Sequence, residues 1–423
     1  MQQVASQNTP SPAIVIPHFI FGGFVWLFVT VLLFLFPETL IGHYFNPKLL
    51  AITHLLVLGF ISMVIFGALY QLIPVIMEVK LYSERLAVLS FIFLAIGTLW
   101  LAISFWNFWL GTSMHIAATW VLLAVSLFVV NVFATGRTTQ KKSIQNDFIQ
   151  TAVVWLLFTI VAGIALAINL TYPFLNTPHL ELLKLHAHAG IVGWFIQLIM
   201  GVGSKLLPMF MVSHQLNAKK LQAAYYLVNI GLVVAMASIF LQFQYGIWAS
   251  VITVAIGILA FLSYLREAYD KRVKKWLDVG MKKSAFSFLI LTIPIGLILL
   301  LVFGSAQVDE HISPLATAYG FALLIGFVSA LIMGQTYKTL PFIVWLNVYR
   351  KKIGKGKTPF PKDLYSEKAA TIQLWAFAFG FVLLLGGIVF QKEIVLQLGA
   401  LALVASVLFY NFNILKIVLH KTK

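Results

Sequence analysis

Apolar residues run along this chain in stretches of about twenty or more, parted by short polar connections. A helix needs roughly 20 apolar residues to cross the hydrocarbon core of a bilayer. Twelve stretches meet that length: about 18–38, 50–77, 86–106, 112–135, 148–171, 182–212, 222–243, 247–266, 284–305, 314–346, 370–391 and 394–418. In hydrocarbon the backbone must satisfy its own hydrogen bonds, so each stretch is predicted as a helix. The pattern predicts an all-α, polytopic membrane protein, one membrane domain over residues 1–423 in contact with the lipid bilayer. Composition agrees. The chain is 61% hydrophobic and 10% charged, where soluble chains carry about a quarter charged residues.

Charge changes the picture by giving the spans a direction. The net charge of +16 would suit a nucleic-acid binder, but its placement does not. All of the 29 Lys and Arg except Lys48, Lys184 and Lys392 fall in the leader, or in loops and helix ends after spans 2, 4, 6, 8, 10 and 12. That is the positive-inside bias. It predicts both termini in the cytoplasm and no nucleic-acid partner; a bacterial cytoplasmic membrane is the expected location. Residues 1–17 lack the basic start of a cleaved signal peptide and read as a short cytoplasmic leader. With no cysteine, disulfides, thiolate metal sites and cysteine catalysis are excluded.

One span occurs three times. HLLVLGFISMVIFGALYQLIPVI begins at His54, HAGIVGWFIQLIMGVGSKLLPMF at His188 and FALLIGFVSALIMGQTYKTLPFI at Phe321. Gly59, Gly193 and Gly326 align, each followed by an aromatic residue, as do Gly67, Gly201 and Gly334, and Pro74, Pro208 and Pro341. Three residues before each proline stands Gln71, Lys205 or Lys338. The copies fall on spans 2, 6 and 10. The chain therefore reads as three four-helix units, about 18–135, 148–266 and 284–418, repeated in parallel with pseudo-threefold symmetry about the membrane normal. The glycines are expected where a neighbouring helix or a flat ligand comes close, and the prolines where the helix ends.

Histidine is the remaining chemistry. On the predicted topology His18, His214 and His420 lie at the cytoplasmic side, and His43, His54, His115, His179, His186, His188 and His311 at the outer side. Neutral imidazole is the commonest metal ligand, and a polar group inside a bundle is expensive. His54, His115, His179, His186 and His188 are the candidate metal ligands. His54 and His188 occupy the same repeat position; at the position of His186 the other copies have Ile52 and Tyr319. Thr177-Pro178 suits a helix start. From there His179 and His186 share one face, and Glu181, Lys184 and His188 the opposite one. His186 and His188 are thus predicted to serve different neighbours. Asp309, Glu310 and His311 are expected in a solvated outer loop. The chain has no P-loop, GxSxG or HExxH motif, and no catalytic residue is assigned.

His186-Ala-His188, with Gly201 thirteen residues and Pro208 twenty residues after the second histidine, resembles the tenth helix of subunit I of the haem–copper oxidases. In that family the His-x-His helix serves a haem on each side, and its second histidine pairs across the low-spin haem with one on the second helix. The resemblance implies a b-type haem near the outer face with His54 and His188 as axial ligands. It also implies His186 as a ligand to a second haem or to copper. Twelve spans in three arcs and cytoplasmic termini are family features as well. The chain departs from the family in carrying His-x-His on span 6, while span 10 has Tyr319 and Phe321. It has no His-His dipeptide, and span 7 has no histidine. An oxygen-reducing haem–copper centre of the usual kind is therefore not expected.

A second resemblance is to the NnrS-type membrane proteins, a twelve-span group associated with haem, copper and the nitric-oxide response. Their helices also carry outer histidines and a basic residue shortly before a proline, as in Lys205-Leu-Leu-Pro208. The resulting expectation is a haem-binding, oxidase-like membrane protein serving electron transfer or a response to nitric oxide or oxygen. The alternatives are a metal or small-molecule transporter built on parallel repeats, and a non-catalytic assembly partner of respiratory-complex subunits.

Overall fold

The computed structural model describes residues 9–304, 312–352 and 358–421. Among them, twelve helices are long and apolar enough to cross a membrane. They are α1 (Pro12–Leu35), α2 (Pro47–Met77), α3 (Glu84–Trp106), α4 (Thr112–Arg137), α5 (Ile144–Asn169) and α6 (His179–Met211), and then α7 (Ala218–Phe240), α8 (Gln244–Asp270), α9 (Val279–Phe303), α10 (Ile312–Tyr349), α11 (Glu367–Val389) and α12 (Glu393–Val418). The protein is an all-helical, multi-pass membrane protein whose outer helix faces meet lipid. No β-strand occurs among the described residues, only an isolated bridge between Ser213 and Arg272. The predicted spans match these helices, with α1 entering the expected leader at Pro12. Asp309, Glu310 and His311 lie outside the described residues.

Successive helices alternate in direction, so the start of α1 and the end of α12 share one face, here the terminal face. Every helix that starts there is capped by a side chain: Ser11, Ser83, Ser143, Asn217, Asp278 and Ser366 each accept from a first-turn backbone amide. Such caps satisfy donors that the first turn leaves unpaired. Asp278 also bonds Lys338 at 2.6 Å and Lys274 at 3.1 Å. Burial pushes its carboxyl up, but hydrogen bonding and the charge of Lys338 hold it below its ordinary value. At the opposite, far face Asn46 caps α2. Helix α6 begins behind Pro178 rather than with a Thr177 side-chain cap.

The three repeat helices form the centre. In α2, α6 and α10, 67%, 72% and 72% of the apolar window is buried, against 56% or less in every other helix. Each changes from α to π winding over eight residues: Leu55–Ser62, Ala189–Ile196 and Ala322–Ser329. These segments begin at matched positions of the sequence repeat. The prolines behave differently from copy to copy. Pro74 and Pro208 are followed within four residues by left-handed Glu78 (φ 60°) and Val212 (φ 55°), which end α2 and α6. Pro341 does not end α10, which continues to Tyr349.

The repeated glycines receive side chains from the preceding antiparallel helix. An ideal Cβ would lie 2.7 Å from Val25 at Gly59, 2.6 Å from Trp155 at Gly193 and 2.8 Å from Ile290 at Gly326. Two turns on, the corresponding distances are 2.5 Å to His18 at Gly67, 2.6 Å to Phe148 at Gly201 and 3.0 Å to Lys283 at Gly334. The sockets thus serve helix–helix contact. Gly193→Ala is expected to lower stability by roughly 2 kcal/mol, because the indole ring is held on several sides. Gly296→Ala, which meets nothing within 4 Å, is expected to be neutral or stabilising by up to about 1 kcal/mol. Thermal unfolding in detergent measures both.

Candidate functional site

The first turns of α2 and α6 at the far face carry the three central histidines, just before the π segments. His54 Nδ1 lies 2.7 Å from the Leu50 carbonyl oxygen, and His188 Nδ1 lies 2.7 Å from that of Lys184. His186 Nδ1 reaches across to α5, 2.9 Å from the Thr159 carbonyl oxygen. A carbonyl only accepts, so in each ring Nδ1 carries the hydrogen and Nε2 holds the lone pair. Three neutral imidazoles are thereby fixed in one tautomer, the form in which histidine binds a metal through Nε2.

Their neighbours differ. The His54 ring stacks on Phe105 of α3 at 4.6 Å between centroids. His186 sits against Gly163 of α5, where an ideal Cβ would be 2.9 Å from its Cε1. His188 turns to α10, where the Tyr319 hydroxyl lies 3.3 Å from Nε2 and the two rings are 5.8 Å apart. With Nε2 as acceptor, Tyr319 is the donor. The sequence expectation paired His54 with His188. The structure stacks His54 on Phe105 and gives His188 to Tyr319.

His54 and His188 are equivalent in the repeat, and so are His186 and Tyr319. The His188–Tyr319 contact thus joins the first position on α6 to the second position on α10. Among the described residues neither His54 Nε2 nor His186 Nε2 has a hydrogen-bond partner in the protein.

The other candidate ligands are held elsewhere. His115 Nε2 lies 3.3 Å from the Ala167 carbonyl oxygen, and His179 Nδ1 lies 3.4 Å from Asn169 Nδ2, both near the far end of α5. Glu181 binds Lys184 at 2.6 Å, an exposed ion pair of little weight. Among the described residues no three His, Asp or Glu side chains gather as a group that could hold a metal ion.

Two buried polar sites were not singled out from sequence. His18, assigned only to the cytoplasmic side, is fully buried. Its Nδ1 lies 2.8 Å from the Ile14 carbonyl oxygen, while its Nε2 and the nearby Tyr70 hydroxyl have no partner. Lys283, counted among the basic helix ends, is 2% exposed. Its amino group bonds the Gln373 side chain of α11 and lies 4.3 Å from the Tyr337 ring centroid. Tyr337 donates to Gln373 at 3.2 Å, and Asn413 donates to the Tyr337 hydroxyl at 3.4 Å. His18, Phe148 and Lys283 fill the same socket in successive copies. Aligning α1, α5 and α9 as well as the central helices is the signal that would have exposed them.

No family model matches the chain. It is similar to an uncharacterized protein of Aquifex aeolicus (strain VF5), 23% identical over 314 residues, which span 74% of this chain and 76% of that relative.

Proposed function

We propose that the protein is a haem-binding membrane protein that carries a b-type haem near its far face, for electron transfer or for a response to nitric oxide or oxygen. The observation that carries this reading is that His54, His186 and His188 each commit Nδ1–H to a backbone carbonyl, which leaves Nε2 of His54 and His186 free as a ligand atom and that of His188 facing only the Tyr319 hydroxyl. That donor chemistry fits haem iron, whose protein ligands commonly include imidazole. His54 on α2 and His186 on α6 are the favoured pair, since each keeps Nε2 free of protein hydrogen-bond partners. His188 with Tyr319 forms a second site on the other side of α6, suited to an additional haem or to copper.

A bound haem supplies one-electron chemistry and an affinity for diatomic ligands. The chain's own groups orient the imidazoles, cover them with Phe105, and in His188 hold the lone pair against a phenol hydroxyl. Two histidine ligands would favour electron transfer, whereas a single one would favour gas binding. The reading brings with it an arrangement of the three copies about the membrane normal, supported by the recurring glycine sockets and π segments. On the positive-inside bias the terminal face is cytoplasmic, in a bacterial inner membrane.

The test is purification of the full chain from haem-supplied cells, then reduced-minus-oxidised spectra and extraction of the pigment. The expected result is a b-type spectrum at one haem or more per chain. Protein that remains colourless after haem supply and in-vitro loading overturns the proposal.

A further inference from the structure

Between the π segments and the repeated prolines, α2, α6 and α10 do not close on one another. They leave a cavity of about 110 Å³. Five matched positions on each of the three helices contribute to its wall, including Ala68, Val202 and Gln335 at one level and Leu69, Gly203 and Thr336 at the next. The remainder is nearly all aliphatic, and no lining residue is charged. Gln335 and Thr336 on α10 donate within the protein, and among the described residues the one buried lining atom left without a partner is the Gln335 Oε1 acceptor. Gln335 Nε2 donates to Ser284 at 2.7 Å, and the Thr336 hydroxyl donates to the Ile332 carbonyl at 2.8 Å.

Gly203 gives the cavity its meaning. At Gly67, Gly201 and Gly334 an added Cβ would meet an atom at 2.8 Å or closer, so helix contact accounts for those glycines. At Gly203 the nearest atoms would be Leu207 Cδ1 at 3.5 Å and Phe261 Cζ at 3.7 Å, both ordinary contacts. Alanine would fit there and is the better helix former. The equivalent residues Leu69 and Thr336 show that the helix tolerates a side chain at this level. The absence of one at 203 leaves open a space that nothing in the protein fills.

We propose that this cavity is a binding site for a small, uncharged, apolar molecule, of a size between xenon and benzene. An apolar cavity of about 150 Å³ lined by aliphatic and aromatic side chains stays dry and takes such solutes. An ion would lose its hydration against a wall with no opposite charge, which excludes metal ions and organic cations from this site. The site is independent of haem, because it lies beyond the π segments from the histidines and uses none of them.

Xenon and benzene are the probes. Crystals of the full chain held under xenon, or xenon NMR in detergent, are expected to show one site between Ala68, Val202 and Gly203. Benzene is expected to raise the unfolding temperature. Gly203→Leu, which fills the space, is expected to weaken xenon binding at least tenfold while unfolding at or above the wild-type temperature. Should that variant fail to fold, Gly203→Ala carries the test with a smaller loss of xenon occupancy. No xenon at the site, a chain of ordered waters in its place, or equal xenon binding by the wild type and a folded variant overturns the proposal.

Discussion

Alanine at His54 or at His186 is expected to strip the low-spin spectrum from the haem-loaded protein, whereas alanine at His188 is expected to leave it. The asymmetry comes from geometry. His54 and His186 keep Nε2 free of protein partners, while His188 Nε2 already accepts from Tyr319. Exogenous imidazole is expected to restore the spectrum of His54→Ala, because it refills the donor position without repairing the helix. Gly163→Val tests the support of His186 without touching a ligand. An ideal Cβ at Gly163 would be 2.9 Å from the imidazole, so a branched side chain displaces the ring and is expected to weaken haem retention roughly tenfold or more. If His188→Ala removes the spectrum and His186→Ala leaves it, the axial pair is instead His54 with His188, the assignment made from the sequence resemblance.

Removing Gln373 is expected to harm the protein far more than removing the lysine it binds. Lys283 lies on α9 among α10 and α11, and its hydrogen-bond partner is the neutral side chain of Gln373. Gln373→Leu leaves a buried amine with only the Tyr337 face and is expected to cost about 3 kcal/mol. Lys283→Met replaces the amine by an apolar chain of similar length and removes the need for that partner. It is expected to change stability by less than about 1 kcal/mol, or to raise it. The double variant is expected to resemble Lys283→Met, since the two losses share one cause. Equilibrium unfolding in mixed micelles measures all three. A loss on Lys283→Met as large as that on Gln373→Leu would show that the amine itself is needed.

The repeat could be read in one dimension because glycine, proline and aromatic residues recur at nearly constant offsets. The structure adds the partners of those glycines. Gly67, Gly201 and Gly334 hold His18, Phe148 and Lys283, three residues with nothing in common as letters. A socket is a property of two helices at once. Similarity along α2, α6 and α10 therefore left the matching positions on α1, α5 and α9 unnoticed, and with them the buried imidazole and the buried amine.

The histidines show where a straight-helix reading fails. It correctly gave His186 and His188 different neighbours, since residues two apart diverge by roughly 200° around a helix of 3.6 residues per turn. It could not assign those neighbours. A π turn takes in one more residue than an α turn, an offset of roughly 100° around the axis, and such segments begin directly after His54 and His188. The helix before each π segment is thus rotated relative to the helix beyond it, by an amount that hydropathy does not encode.

The number of spans, their boundaries to within a few residues and the threefold recurrence are all legible in the chain alone. Hydrocarbon makes each span satisfy its own backbone, and span length and composition are local properties. Three other outcomes are not local: His54 stacks on Phe105, His188 meets Tyr319, and Lys283 is enclosed by α10 and α11. They emerge only in the folded bundle, because they depend on the rotation of each helix about its axis. That rotation is set by packing against neighbours distant in the chain.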